Sequence, residues 1–299
     1  MRVQNAEDIL KLAQSGVIKR MAVAVAEDKD VLLAVKAAVE KKVVQAVLAG
    51  NPARIGNIAE EIGLDLKLVE ILPAATPEEA VEKCLTEVAS GKAQVLMKGL
   101  VNTAVFLKAV LDKKYGLRKS HLLSHVALYF PNVYHKPVMV TDAGLNIAPT
   151  LSDKIAIIGN AVEMMHKLGL DTPKVAMIAH NEVPTDKVPS SLDAVRLKGM
   201  NASGEIQGCI IDGPMALDVA ISEEACKHKN VNSPVGGDAD ILVCPEIVSA
   251  NVLYKAMGFL ARAHGAAIIA GATVPIVLTS RAEDAQTKLL SITLAVNVH

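Results

Sequence analysis

Among the 299 residues there is no tryptophan, and phenylalanine and tyrosine number only three and four. A surface that reads single-stranded nucleic acid needs stacking aromatics, and they are missing. Charge of one sign is missing too: 31 Lys and Arg stand against 32 Asp and Glu, with no basic run. That excludes the concentrated positive field of a nucleic-acid binder. No apolar run is long enough to span a bilayer. The most apolar stretch, 266–278, is short and is broken by Gly271 and Pro275. The N-terminus reads as an amphipathic helix with acids, not a secretory leader, so a cytoplasmic protein is expected. Cys84, Cys209, Cys226 and Cys244 share no CxxC or zinc-like spacing and read as reduced thiols. Also lacking are GxGxxG after the first strand, the GxxxxGK[ST] phosphate loop and a GxSxG elbow.

What is present is aliphatic. Apolar residues make up 51% of the chain, dominated by Ala, Val, Ile and Leu. That mixture suits parallel strands covered by helices on both faces. Strands are expected at 21–26, 45–49, 68–72 and 95–97. Helices are expected at 30–41 (capped by Asp30), 54–62, 77–90 and 103–111. Thr76-Pro77-Glu78-Glu79 has the pattern of a capping box with proline at the first helical position.

A second series runs through strands at 138–141, 174–178, 210–211, 241–243, 266–270 and 274–278. Its helices are 151–167, 216–222, 247–263 and 282–296. Repeated βα units imply an α/β fold of two α/β domains with central, largely parallel sheets. The loop 130–137 is the expected seam. The first domain would be 1–130 plus 281–299, and the second 131–280.

Chemistry concentrates at strand ends. The block Asn232-Ser233-Pro234-Val235-Gly236-Gly237-Asp238-Ala239-Asp240 precedes strand 241–243, and Asn251 follows on the next helix. Adjacent glycines before a buried strand suit a loop that a ligand approaches closely. Lys98-Gly99-Leu100-Val101-Asn102-Thr103 opens a helix whose free N–H groups can receive an anion, with Lys108 on the same helix. An ordinary turn with a surface lysine fits equally.

Thr279-Ser280-Arg281 places a hydroxyl and a guanidinium at the exit of an apolar strand, a pairing suited to phosphate. Glu283 and Asp284 follow, and acids at a helix start also serve the macrodipole alone. His121 and His125, in a strand-like stretch, would share a sheet face. Glu163-x-x-His166 is half of a di-iron motif without its second copy. Asp142–Asn146 and Asp212-Gly213-Pro214 read as strand-end turns.

With Met97–Thr103, Asp212–Asp218, Asn232–Lys255 and Pro275–Arg281 in this order, the chain resembles the phosphate acetyltransferase and phosphate butyryltransferase family, most of all its butyryltransferase branch. The resemblance spans nearly the whole chain. It implies reversible transfer of a short acyl group between coenzyme A and phosphate. It also implies two domains with an active-site cleft between them, like the isocitrate and isopropylmalate dehydrogenases, and a homo-oligomer. No bound cofactor or metal is expected, and CoA enters as co-substrate with phosphate or acyl phosphate.

Ser280 and Arg281 inherit the phosphate role, and Glu283, or else Asp284, that of base for the CoA thiol. Lys108 stands where acetyltransferases carry arginine. Lys98, Gly99, Asn102, Thr103, Ser233, Gly236, Gly237 and Asn251 are the remaining binding candidates. The rival readings are a metal- and NAD-dependent decarboxylating hydroxyacid dehydrogenase and a non-catalytic CoA or acyl-phosphate binder.

Overall fold

The computed structural model describes residues 3–279 and 283–299. In chain order the elements begin α1 (Ala6–Ser15), β1 (Lys19–Ala24), α2 (Lys29–Glu40), β2 (Val44–Gly50) and α3 (Pro52–Ile62). Next come β3 (Val69–Pro73), α4 (Pro77–Ala89), β4 (Val95–Lys98), α5 (Thr103–Val110), β5 (Ser124–Phe130) and β6 (Val138–Thr141). Then follow α6 (Leu151–Lys167), β7 (Lys174–Ile178), α7 (Pro189–Ala202), β8 (Ile210–Met215), α8 (Leu217–Ile221) and α9 (Glu223–His228). The last are β9 (Ile241–Val243), α10 (Ile247–Lys255), β10 (His264–Ala270), β11 (Ile276–Val277) and α11 (Ala285–Asn297).

Two compact units emerge. A terminal unit holds Ala6–Lys119 and Ala266–His299; a central unit holds Ser120–Gly265 with the few residues up to Asn5. These limits correct the expected boundaries at 130 and 280. β5 belongs to the central unit because it pairs antiparallel with β6, Val126 opposite Thr141. β11 belongs to the terminal unit because it pairs parallel with β4, Leu96 beside Ile276.

In the terminal unit the strand order is β3-β2-β1-β4-β11-β10, parallel except for β10 against β11. The chain steps from β1 outward through β2 to β3, then returns to lay β4 on the other side of β1. That reversal is a topological switch point, the place where open α/β sheets bind ligands at their carboxyl ends. The core is aliphatic, with Met21 to Ala24 and Ala46 to Ala49 fully or almost fully buried. The central unit orders its strands β5-β6-β9-β7-β8, parallel apart from β5.

Capping follows local chemistry. α2 is capped by Asp28, which accepts from Val31 N–H at 2.9 Å, and not by Asp30, which lies inside the first turn. Thr76 caps α4, and Glu79 reaches back to the N–H of Ala75 at 2.7 Å. Thr150 and Asp153 form a complete capping box on α6.

α7 was not anticipated. Only Ser191, Ala194 and Leu197 are buried along it, so its sequence carries no broad apolar stripe. Asp212-Gly213-Pro214 also departs from expectation, because β8 runs through it to Met215. β8 pairs only with β7 within its unit, and proline is tolerated at a strand edge. The helix expected at 247–263 is α-helical only to Lys255 and then widens into a π turn over Ala256–Leu260.

Candidate functional site

At the switch point the backbone pairing outlasts the strands. Ala24 lies beside Lys98, and Gly99 N–H then donates to Ala24 O at 2.8 Å and Leu100 N–H to Val25 O at 2.7 Å. A Cβ on Gly99 would fall 2.1 Å from Val25 O, so only glycine fits this close approach. Lys98 is buried, and its ammonium donates to Gly99 O at 3.1 Å and Val101 O at 3.2 Å, pinning the loop. Asn102 caps α5, accepting from Ala104 N–H at 2.9 Å and Val105 N–H at 3.3 Å. Thr103 and Lys108 are exposed on the helix that follows.

β11 lies on the far side of β4, Val277 beside Met97. Thr279 follows β11 by two residues, and Gly99 follows β4 by one. Motifs 180 residues apart in sequence thus share one sheet end. Ser280 and Arg281 lie outside the described residues. Beyond them, the main-chain carbonyl of Glu283 accepts from buried Lys288, and Asp284 caps α11 by accepting from Thr287 N–H at 2.8 Å. Asp284 therefore has a structural task; Glu283 precedes the helix, half-buried.

The turn after β1 lies at the same sheet end. Glu27 accepts from Asn51 N–H at 2.7 Å, and a Cβ at Gly50 would meet its carboxylate at 2.4 Å. The available signal was an acidic pair, Glu27-Asp28, closing the first strand.

In the central unit, the block before β9 turns inward. Ser233 donates to Asp212 at 2.6 Å and accepts from the N–H groups of Val235 and Gly236, at 3.1 and 3.0 Å. A Cβ on Gly236 would press on Cys226 Sγ at 2.8 Å, and one on Gly237 (φ 72°) on Glu223 at 2.7 Å. The glycines make room for α8 and α9.

Asp238 binds Lys136, Lys174 and His135, and Asp240 binds Lys136, with separations of 2.7–2.8 Å. Burial works to raise the Asp238 carboxyl, but its three partners outweigh this and hold it well below the usual range. These contacts sit where β9, β6 and β7 begin, not where they end.

The carboxyl end of β9 differs. Glu246 caps α10 through Val248 and Ser249, and Asn251 donates to Ala143 O at 2.9 Å. Ala143 belongs to the turn after β6, where the Asp142 carboxylate gathers the N–H groups of Gly144, Leu145 and Asn146. Asn251 thus braces a neighbouring strand-end turn.

The histidines separate. His121 is exposed, 3.5 Å from Asp153, whereas His125 is buried in β5 against the edge of Tyr254, ring centroids 5.1 Å apart. They share no sheet face, because β5 starts only at Ser124. Glu163 pairs with Lys167 and His166 bonds Gly208 O. Among the described residues, no group of three or more His, Cys, Asp or Glu is placed to hold a metal. Nor is any described helix long and apolar enough to cross a membrane. Burial pushes the thiols of Cys84 and Cys244 up to about 12 and that of Cys209 to about 11; Cys226 is raised by burial and by Asp218. At neutral pH none of the four is a ready thiolate nucleophile.

Residues 78–296 match the family model described as phosphate acetyl/butaryl transferase. A phosphate butyryltransferase of Clostridium beijerinckii is 43% identical, over 98% of this chain and 97% of its own. A phosphate acetyltransferase of Thermotoga maritima is 42% identical over 97% and 98%. A crystal structure of a branched-chain phosphotransacylase from Enterococcus faecalis V583 superposes with a TM-score of 0.84. It is 33% identical, over 94% of this chain and 99% of that one. The chain belongs to the phosphate acetyl/butyryl transferase family.

Proposed function

We infer that this chain transfers a short acyl group reversibly between coenzyme A and phosphate: acyl-CoA plus phosphate gives acyl phosphate plus CoA. The observation that carries the siting of this reaction is the convergence of the β4 and β11 exits beside the switch point. In the proposed mechanism Arg281 and Ser280 hold the phosphate. Glu283 takes the proton of the CoA thiol, and the thiolate attacks the acyl carbon. A C–S bond forms as the C–O bond to phosphate breaks, and the phosphate leaves with the bonding pair, neutralised by Arg281.

Direct transfer between bound substrates accords with the raised protein thiols, which offer no acyl carrier. Lys98 and Gly99 shape the loop from within, Asn102 and Thr103 set the start of α5, and Lys108 supplies exposed positive charge. Asn251 acts through the turn after β6. Ser233, Gly236 and Gly237 enter as framework. The dehydrogenase-like fold class, a homo-oligomeric state and a cytoplasmic location belong to the same proposal, carried by the family resemblance.

The test is thiol release from acetyl- through valeryl-CoA in the presence of phosphate. Phosphate-dependent release with a short-chain member is expected. No release with any member overturns the reading.

A further inference from the structure

Four of the described lysines are buried, and they divide by partner. In the central unit Lys136 has the Asp240 carboxylate at 2.7 Å, and Lys154 that of Asp193 at 2.7 Å. In the terminal unit Lys98 donates to the carbonyls of its own loop. Lys288, only 3% exposed, has no carboxylate within ion-pair distance among the described residues. Its ammonium donates to the main-chain carbonyl of Glu283.

Taking an ammonium out of water without a counter-charge is costly, and one neutral carbonyl offsets only part of that cost. The position makes matters worse. Lys288 N–H closes the first turn of α11 on Asp284 O at 3.1 Å, so the charge lies at the helix end that disfavours cations. The neighbouring buried residues of α11, from Leu290 to Val296, are mostly aliphatic, and the helix packs against α1 and α2. A methionine of similar length would fill the position as well, so packing does not account for the lysine.

Its one acceptor does. Glu283 stands two residues after Arg281, half-buried, directly before the cap residue Asp284. Helical side chains lean toward the N-terminus of their helix, and the bond to Glu283 O shows this one reaching back past the cap. We propose that Lys288 is a positioning residue for acyl transfer: by holding the Glu283 carbonyl it fixes the main chain from which the Glu283 carboxylate approaches the CoA thiol. This rests on the acyl-transfer reading above, with Glu283 as the base.

The experiment measures melting temperature, kcat and KM, with butyryl-CoA and phosphate, in the unaltered protein, Lys288→Met, Glu283→Gln and the double variant. Lys288→Met is expected to keep or raise the melting temperature, because an apolar group replaces a buried charge. Its kcat is expected to fall about tenfold or more, as a misplacement of about 1 Å does, with both KM values within about twofold. In the Glu283→Gln background the same change should lower kcat by less than about twofold, since the group it acts through is already gone. An unchanged kcat in Lys288→Met, a fall that multiplies with that of Glu283→Gln, or a Lys288→Met chain that does not fold overturns the proposal. Full activity in Glu283→Gln overturns it too, by removing the base. No turnover by the unaltered protein would instead remove the acyl-transfer reading itself, so the failures are distinguishable.

Discussion

The loop after β4 and the block before β9 look alike as sequence: glycine, small polar residues, a neighbouring buried strand. They differ in which end of the strand they occupy. The β4 loop leaves a carboxyl end beside a switch point, where Gly99 lies on Val25 and α5 begins exposed. The β9 block enters at an amino end, and its hydroxyl, carboxylates and glycines are all met from within by Asp212, Lys136, Lys174, α8 and α9. Strand polarity, more than glycine content, distinguishes the two loops.

The sharpest break of this contrast is Lys136→Met. It removes the ammonium 2.7 Å from buried Asp240, and losing one partner of a buried pair costs about 3–5 kcal/mol. Denaturant unfolding should show that loss, while the folded fraction keeps its turnover. Turnover falling far more than the folded fraction would return the β9 block to the active site.

Arg281→Ala should do the reverse, lowering kcat by about 10²–10³, or about 2.7–4 kcal/mol, with the melting temperature little changed. Unaltered phosphate-dependent turnover would eliminate its role. Ser233→Ala should cost about 1–3 kcal/mol of stability, because two N–H groups lose their acceptor, with KM for phosphate unmoved.

The smallest effect is expected from Asp238→Asn. The folded Asp238 carboxyl titrates below its unfolded value, so its contribution is present above about pH 4 and fades as pH falls further. The variant should show a shallower loss of stability with acid below that pH. With the side chain over a third exposed, solvent screening keeps the change small.

Alternation of aliphatic strands and capped helices made most elements legible, and β6, α6, β7 and β9 fall where periodicity puts them. Pairing partners were less legible, since a two-residue strand such as β11 is defined by its neighbour β4 and not by its own pattern. Hence the misplaced boundaries. α7 escaped notice because its buried side is narrow and partly polar, with Ser191 at its start. Within the candidate site, Lys98, Gly99, Asn102 and Thr103 stood out by residue type. That Lys98 would spend its hydrogens on the loop's own carbonyls depends on burial, which no spacing encodes. Glu27 carried only a weak signal, because its partner Asn51 N–H comes from a different βα unit.

The pairing of β11 with β4 also has a consequence in time. During synthesis, β4 leaves the ribosome about 180 residues before its neighbour β11, and the long central unit is made in between. Until the β11–α11 segment emerges, one flank of β4 has no strand beside it, and the surfaces of α1 and α2 that α11 covers stay bare. Translation therefore works as a timer on this protein, withholding the completed strand-end constellation until the last segment of the described chain has been made.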